Sequence, residues 1–132
     1  MGYSYLLPTR RLAQGSRPPT DVRLPFEVIV LAAHEYQPRM RGYQLIRIPL
    51  RDAKPSHADR ARIVEVALDV AERVRRGDRV LVTCNQGRNR SGVIAGIAMV
   101  ELGVDPNKAA AQIRHLRNGL TNPYFHRMVV GY

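Results

Sequence analysis

The stretch Val80-Leu81-Val82-Thr83-Cys84-Asn85-Gln86-Gly87-Arg88-Asn89-Arg90-Ser91-Gly92 decides how this chain is read. Its first residues have the apolar, β-branched character of a buried strand, which ends at Cys84, the only cysteine. A helical pattern rich in small residues begins at Ser91. A loop closing onto a helix N-terminus directs several backbone N–H groups into one space, where the helix dipole also favours negative charge. A cysteine at the lip of that space has its thiolate, the nucleophilic form, stabilised. Arg90 adds a planar fork of donors that matches two oxygens of a phosphate. The segment therefore reads as a nucleophile inside an anion cradle built by Asn85, Gln86, Gly87, Arg88, Asn89 and Arg90.

The elements around this loop alternate between strand and helix. Residues 1–25 are rich in turn formers, with one short strand expected around Arg11–Gln14. Phe26–Ala32 is a nearly continuous apolar run of strand length, typical of a strand covered on both faces. A polar loop over 33–42 leads to a strand at Tyr43–Ile48, stopped by Pro49. Ser56 with Asp59 three residues later makes a capping box. From there Ile63, Val66, Ala67, Val70, Ala71 and Val74 give one apolar helix face that ends at Gly77. Arg79–Thr83 is the strand feeding the cysteine loop, and the next helix runs from Ser91 to Gly103. Asp105-Pro106 opens a third helix to Asn118-Gly119, and a last helical piece spans Tyr124 to about Val130. The expected fold is one α/β domain over 1–132: a central, mostly parallel sheet of about four to five strands flanked by helices. In such sheets ligands bind beyond the carboxyl ends of the strands, which is where Cys84 falls.

Composition narrows the class further. The 132 residues are 45% hydrophobic and 24% charged, ordinary for a globular domain. No apolar run approaches the ~20 residues of a membrane span. Met1–Pro8 lacks the basic start of a secretory leader. A single cysteine suits a reducing compartment, so a cytoplasmic monomer is expected. The net charge is +10, and nineteen of the 21 basic residues are arginine. Such a surface attracts anions, although most of these arginines also suit a solvated face.

The pattern Cys-x5-Arg-Ser, with Gly87 three residues after Cys84, resembles the signature loop of the protein-tyrosine and dual-specificity phosphatases. Asp52, 32 residues upstream in Ile48-Pro49-Leu50-Arg51-Asp52, falls where these enzymes carry their general acid. Ala109–Arg117 followed by Asn122-Pro123 and Phe125 is similar to the paired helices closing the small dual-specificity domains, so the resemblance covers roughly residues 10 to 130. It implies a phosphatase-like fold, hydrolysis of phosphate monoesters on phosphorylated proteins or peptides, and a phosphocysteine intermediate. Cys84 is then the nucleophile, Arg90 the phosphate ligand, Asp52 the acid and Ser91 a hydrogen-bond donor to the sulfur; neither metal nor cofactor is required.

Each assignment has a plainer competitor. A lone cysteine is ordinarily a small buried hydrophobe, Asp52 suits a turn, and Ser91 suits a helix cap. His34, His57, His115 and His126 show no metal-ligand spacing, and Tyr36 and Tyr43 read as packing residues beside the pocket mouth. Asn122 and Phe125 read as structural. Thr83 stands where the family usually has histidine. Arg88 is similar to the cation in phosphoinositide phosphatase loops, and Asn89-Arg90 to the RNA 5′-triphosphatase branch. An RNA 5′-triphosphate or phosphoinositide substrate is accordingly the alternative, with a non-catalytic phosphate-binding module behind it.

Overall fold

The structure, a computed structural model, describes residues 2–132. In chain order the elements are β1 (Tyr3–Tyr5), β2 (Leu12–Gly15), β3 (Val28–Ala33), β4 (Gln44–Leu50), α1 (His57–Arg75), β5 (Val80–Thr83), α2 (Arg90–Glu101), α3 (Pro106–Arg117) and α4 (Pro123–Val130). They form one five-stranded sheet in the order β1-β2-β5-β3-β4. Only the β1–β2 pair is antiparallel; β2, β5, β3 and β4 run parallel. This is the expected α/β architecture.

Helix boundaries follow the local chemistry. Ser56 Oγ accepts from Asp59 N at 3.0 Å, and the Asp59 carboxylate accepts from Ser56 N at 3.4 Å, completing the capping box of α1. Beyond Arg76, Gly77 takes a left-handed φ of 99°. Its N–H donates to Val74 O and that of Asp78 to Arg73 O, the paired bonds that close a helix on glycine. All six residues of the apolar face read from sequence are buried.

The sheet's two faces are covered differently. On one side β-strand residues such as Leu12, Val30 and Val82 pack with the buried residues of all four helices. On the other, Ala13, Ile29, Leu31 and Leu81 meet Phe26, Met40 and the aromatic rings of Tyr3, Tyr5 and Tyr43. The second face is therefore closed by loop segments and β1, not by helices. That accounts for β3, whose six residues are all buried without a second helical layer.

Most boundaries differ from the sequence reading by one or two residues, β3 for instance starting at Val28 and not Phe26, and three differences have a local physical reason. β1 lies within the turn-rich segment and was not expected; its three residues carry too little pattern for a period to register. β4 continues through Pro49 to Leu50, because β4 is an edge strand with β3 as its one partner, and an edge tolerates a missing N–H. α2 begins at Arg90, one residue early.

Candidate active site

Position comes first. β5 is the central strand, and Cys84 follows its last residue; the chain then loops back to enter α2. Two close approaches confine the loop. Gly87 adopts φ 69°, and a Cβ there would lie 2.5 Å from Gly15 C. Gly119 presses from below, where a Cβ would come within 2.5 Å of Arg88 O. Leu120 is held at φ 56°, a left-handed conformation costly for leucine, while its N–H donates to Arg88 O at 3.2 Å.

The polarity of the loop backbone is one-sided. Its carbonyls are bound from outside: Asn85 O by Arg17 N, Gly87 O by Arg117 Nε and Gln14 Nε2, Arg88 O by Leu120 N and Gln14 Nε2, and Asn89 O by Val93 N. The N–H groups of residues 85 to 90 donate to no acceptor among the described residues. Beside this loop lies a hollow of about 140 Å³ lined by Asp52, Cys84, Asn85, Gln86, Arg88, Asn89 and Arg90. Unpaired amides around a polar hollow make an anion site.

Within it Cys84 is 4% exposed, and its Sγ lies 3.2 Å from Ser91 Oγ. Ser91 is wholly buried and also accepts from Gln14 Nε2 at 3.1 Å. It makes no capping bond; the residue preceding α2 is Asn89, whose side chain does not cap either. Thr83 does not reach the sulfur: its hydroxyl donates to Val30 O at 2.7 Å in β3.

Arg90 is oriented by a residue that the sequence reading missed. Its Nη1 donates to Glu35 Oε1 at 2.5 Å and to Leu50 O at 3.0 Å, and its Nη2 donates to Glu35 Oε2 at 2.8 Å. Of the five guanidinium protons this leaves Nε–H and one Nη2–H, two parallel donors spaced for two phosphate oxygens. The hydrogen bonds from Arg90 draw the Glu35 pKa from 4.5 to about 2, and Glu35 in turn raises that of Arg90. The only sequence signal was a carboxylate just past a buried strand in the same sheet as Cys84.

Asp52 sits on the rim in an exposed loop after β4. Its Oδ2 accepts from Asn89 Nδ2 at 3.0 Å and its Oδ1 from Asn122 Nδ2 at 2.9 Å. Asn122 therefore does more than support the last helix. It caps α4 by accepting from Tyr124 N and Phe125 N, and it also holds the Asp52 carboxylate. Phe125 is fully buried. Arg117, also unanticipated, lies behind the loop, bonded to Gly87 O, Ser4 Oγ and Gly2 O; burial lowers its pKa.

Of the residues read from sequence, the structure brings Cys84, Arg90, Ser91, Asp52 and the whole 85–90 loop together. Arg88 is exposed, lines the hollow and forms no ion pair among the described residues. Tyr36 reaches the site only indirectly: Arg17 stacks on its ring at 4.7 Å and donates from Nε to Asn85 Oδ1 at 2.6 Å. Tyr43 is spent on Leu24 N and Arg23, away from the hollow. Among the described residues no cluster of His, Cys, Asp and Glu is arranged to hold a metal.

The order of the strands, the cysteine loop beyond the central one and the helices packed on one face define the fold of the small dual-specificity and tyrosine phosphatases. Human DUSP28 superimposes with a TM-score of 0.82 at 21% identity, covering 100% of this chain and 93% of that one. A mouse putative dual specificity phosphatase complexed with zinc tungstate gives 0.81 at 21% identity, over 99% of this chain and 86% of that one. Tk-PTP in its active form gives 0.74 at 23% identity, over 90% and 88%. By sequence, no family model and no curated protein matches the chain.

Proposed function

We propose that this chain is a phosphatase that hydrolyses phosphate monoesters through a phosphocysteine intermediate, acting on phosphotyrosine and on phosphoserine or phosphothreonine of proteins. The observation that carries this reading is the polarity of the loop: N–H groups of residues 85 to 90 without acceptors, beside a hollow lined by Cys84, Arg90 and four further loop residues, Asn85, Gln86, Arg88 and Asn89. Cys84 as thiolate attacks phosphorus in line, so that the S–P bond forms as the ester P–O bond breaks. The loop amides and the free edge of Arg90 hold the three non-bridging oxygens, where transition-state charge is spread. Asp52 gives its proton to the leaving oxygen. It then takes one from the water that displaces the sulfur and releases phosphate. Ser91 donates to the departing thiolate.

No aromatic side chain lines the hollow. Its lining offers polar groups for a phosphate and none specific to a tyrosine ring, which supports turnover of alkyl as well as aryl esters. The free, exposed Arg88 supports the second reading, the same chemistry on an RNA 5′-triphosphate or a phosphoinositide. A monomer in a reducing, cytoplasmic compartment fits a catalytic thiol with no cysteine partner. No helix among the described residues is long and apolar enough to cross a membrane.

A phosphate-release panel tests the proposal, with phosphotyrosine, phosphoserine and phosphothreonine peptides, triphosphate-ended RNA and inositol lipid phosphates, and Cys84→Ser as control. Release from the peptides, abolished in Cys84→Ser, is the expected result. Faster release from RNA or lipid moves the assignment to the second reading. Phosphate binding without release from any substrate reduces the chain to a binding module.

A further inference from the structure

Gln14 has no part in the mechanism above, yet it touches three of the loop's functional atoms. It lies in β2, paired in register with Val82 of β5, and is wholly buried. Its Nε2 is 3.1 Å from Ser91 Oγ, 3.2 Å from Gly87 O and 3.3 Å from Arg88 O. Its Oε1 is buried with no hydrogen-bond partner. An aliphatic side chain would occupy this core position without an orphaned oxygen, so packing does not account for the amide.

We propose that Gln14 is a positioning residue for the Cys84 nucleophile, acting through Ser91. The inference rests on the phosphatase reading and deepens it. Ser91 Oγ makes two hydrogen bonds, one with Gln14 Nε2 and one with Cys84 Sγ. The amide can only donate there, and an ionised sulfur can only accept, so with Cys84 as thiolate the hydroxyl proton bonds the sulfur. That bond has its largest effect when sulfur is ionised, before attack on phosphorus and again as the S–P bond breaks. In the breaking step water oxygen bonds to phosphorus, the S–P electron pair returns to sulfur, and the water proton passes to Asp52. By drawing Gly87 O and Arg88 O toward β2, the same amide keeps two carbonyl dipoles from facing the phosphate. The two protons of Nε2 serve three acceptors, so one is shared.

Gln14→Met is close to isosteric and lacks the donor. Its kcat is expected to fall about tenfold with KM nearly unchanged, the loss of one hydrogen bond felt at the reacting centre. Phosphoenzyme is expected to accumulate in rapid-quench experiments. The pH profile of Cys84 alkylation by iodoacetamide, followed by mass spectrometry, is expected to move to higher pH. In a Ser91→Ala background the same substitution should change the alkylation profile little, because its route to sulfur is already cut. An unchanged alkylation profile in Gln14→Met, or equal shifts with and without Ser91, overturns the proposal. Gln14→Leu, read in the same assays, replaces Gln14→Met if the latter does not fold. Alkylation needs no phosphate substrate, so its outcome stands apart from the release panel. A wild type that releases no phosphate defeats the activity, whereas an unmoved profile in an active enzyme defeats the role of Gln14.

Discussion

Cys84, Arg90 and Ser91 are 4%, 7% and 0% exposed, embedded where the central strand meets α2. Asp52 stands in an exposed loop and is fastened by two side-chain amides, from Asn89 and Asn122. The cradle inherits its geometry from the core, so it can be displaced only by disturbing the sheet and the helix together. Asp52, the proposed acid, depends on a few hydrogen bonds at the surface, each contributing about 1 kcal/mol. The two halves of one site should therefore fail differently under mutation: the cradle in all chemistry, the acid only where the leaving group needs a proton.

The sharpest contrast lies in the cradle. Arg90→Lys keeps the charge but loses both the fork toward phosphate and the paired bonds to Glu35. Turnover should fall by about 100-fold or more on every substrate, aryl or alkyl. A loss confined to one ester class would break the distinction. Asp52→Asn comes next, with about a 100-fold loss on alkyl phosphates and little change on an activated aryl phosphate such as p-nitrophenyl phosphate. Equal losses on both esters remove Asp52 as the acid.

Smaller effects probe how each half is held. Asn122→Ser preserves a capping oxygen for α4 while removing the amide on Asp52. An approximately fivefold loss on alkyl phosphates, with little change in the thermal midpoint, is expected from the loss of the Asn122 Nδ2 bonds to Asp52 Oδ1 and Ala53 O. The Glu35–Arg90 pair gives the smallest and most pH-dependent signal. Because folding lowers the Glu35 pKa from 4.5 to about 2, its stabilisation is complete above pH 4.5 and is lost as pH falls toward 2. Thermal midpoints of the wild type and Glu35→Gln should differ at neutral pH and converge across that acid window. A gap that stays constant with pH would mean that this pair does not set the difference.

The cradle was legible in the chain because its parts are contiguous. Cysteine, glycine, arginine and serine sit at spacings that one strand–loop–helix unit imposes, and local geometry then places them. Asp52 was legible only through resemblance, since no local rule ties it to a loop 32 residues away. Glu35, Gln14 and Arg117 were missed for a common reason. Each reaches the site across the sheet or from α3, and sheet order is a property of tertiary pairing that no window of sequence contains. The loop-covered face escaped for the same reason: which segment closes a sheet is settled by what remains after the helices have packed.

The rims of the sheet carry a last implication. One rim is β1, only three residues long; the other is β4, where Gln44, Arg47 and Pro49 face solvent. A short strand offers few main-chain groups, and a charged strand broken by an imino acid repels or cannot bond an incoming one. Both borders disfavour growth of the sheet by a second polypeptide. A high local concentration of this protein should accordingly leave the parallel ladder closed and the cysteine loop unobstructed by fibre formation.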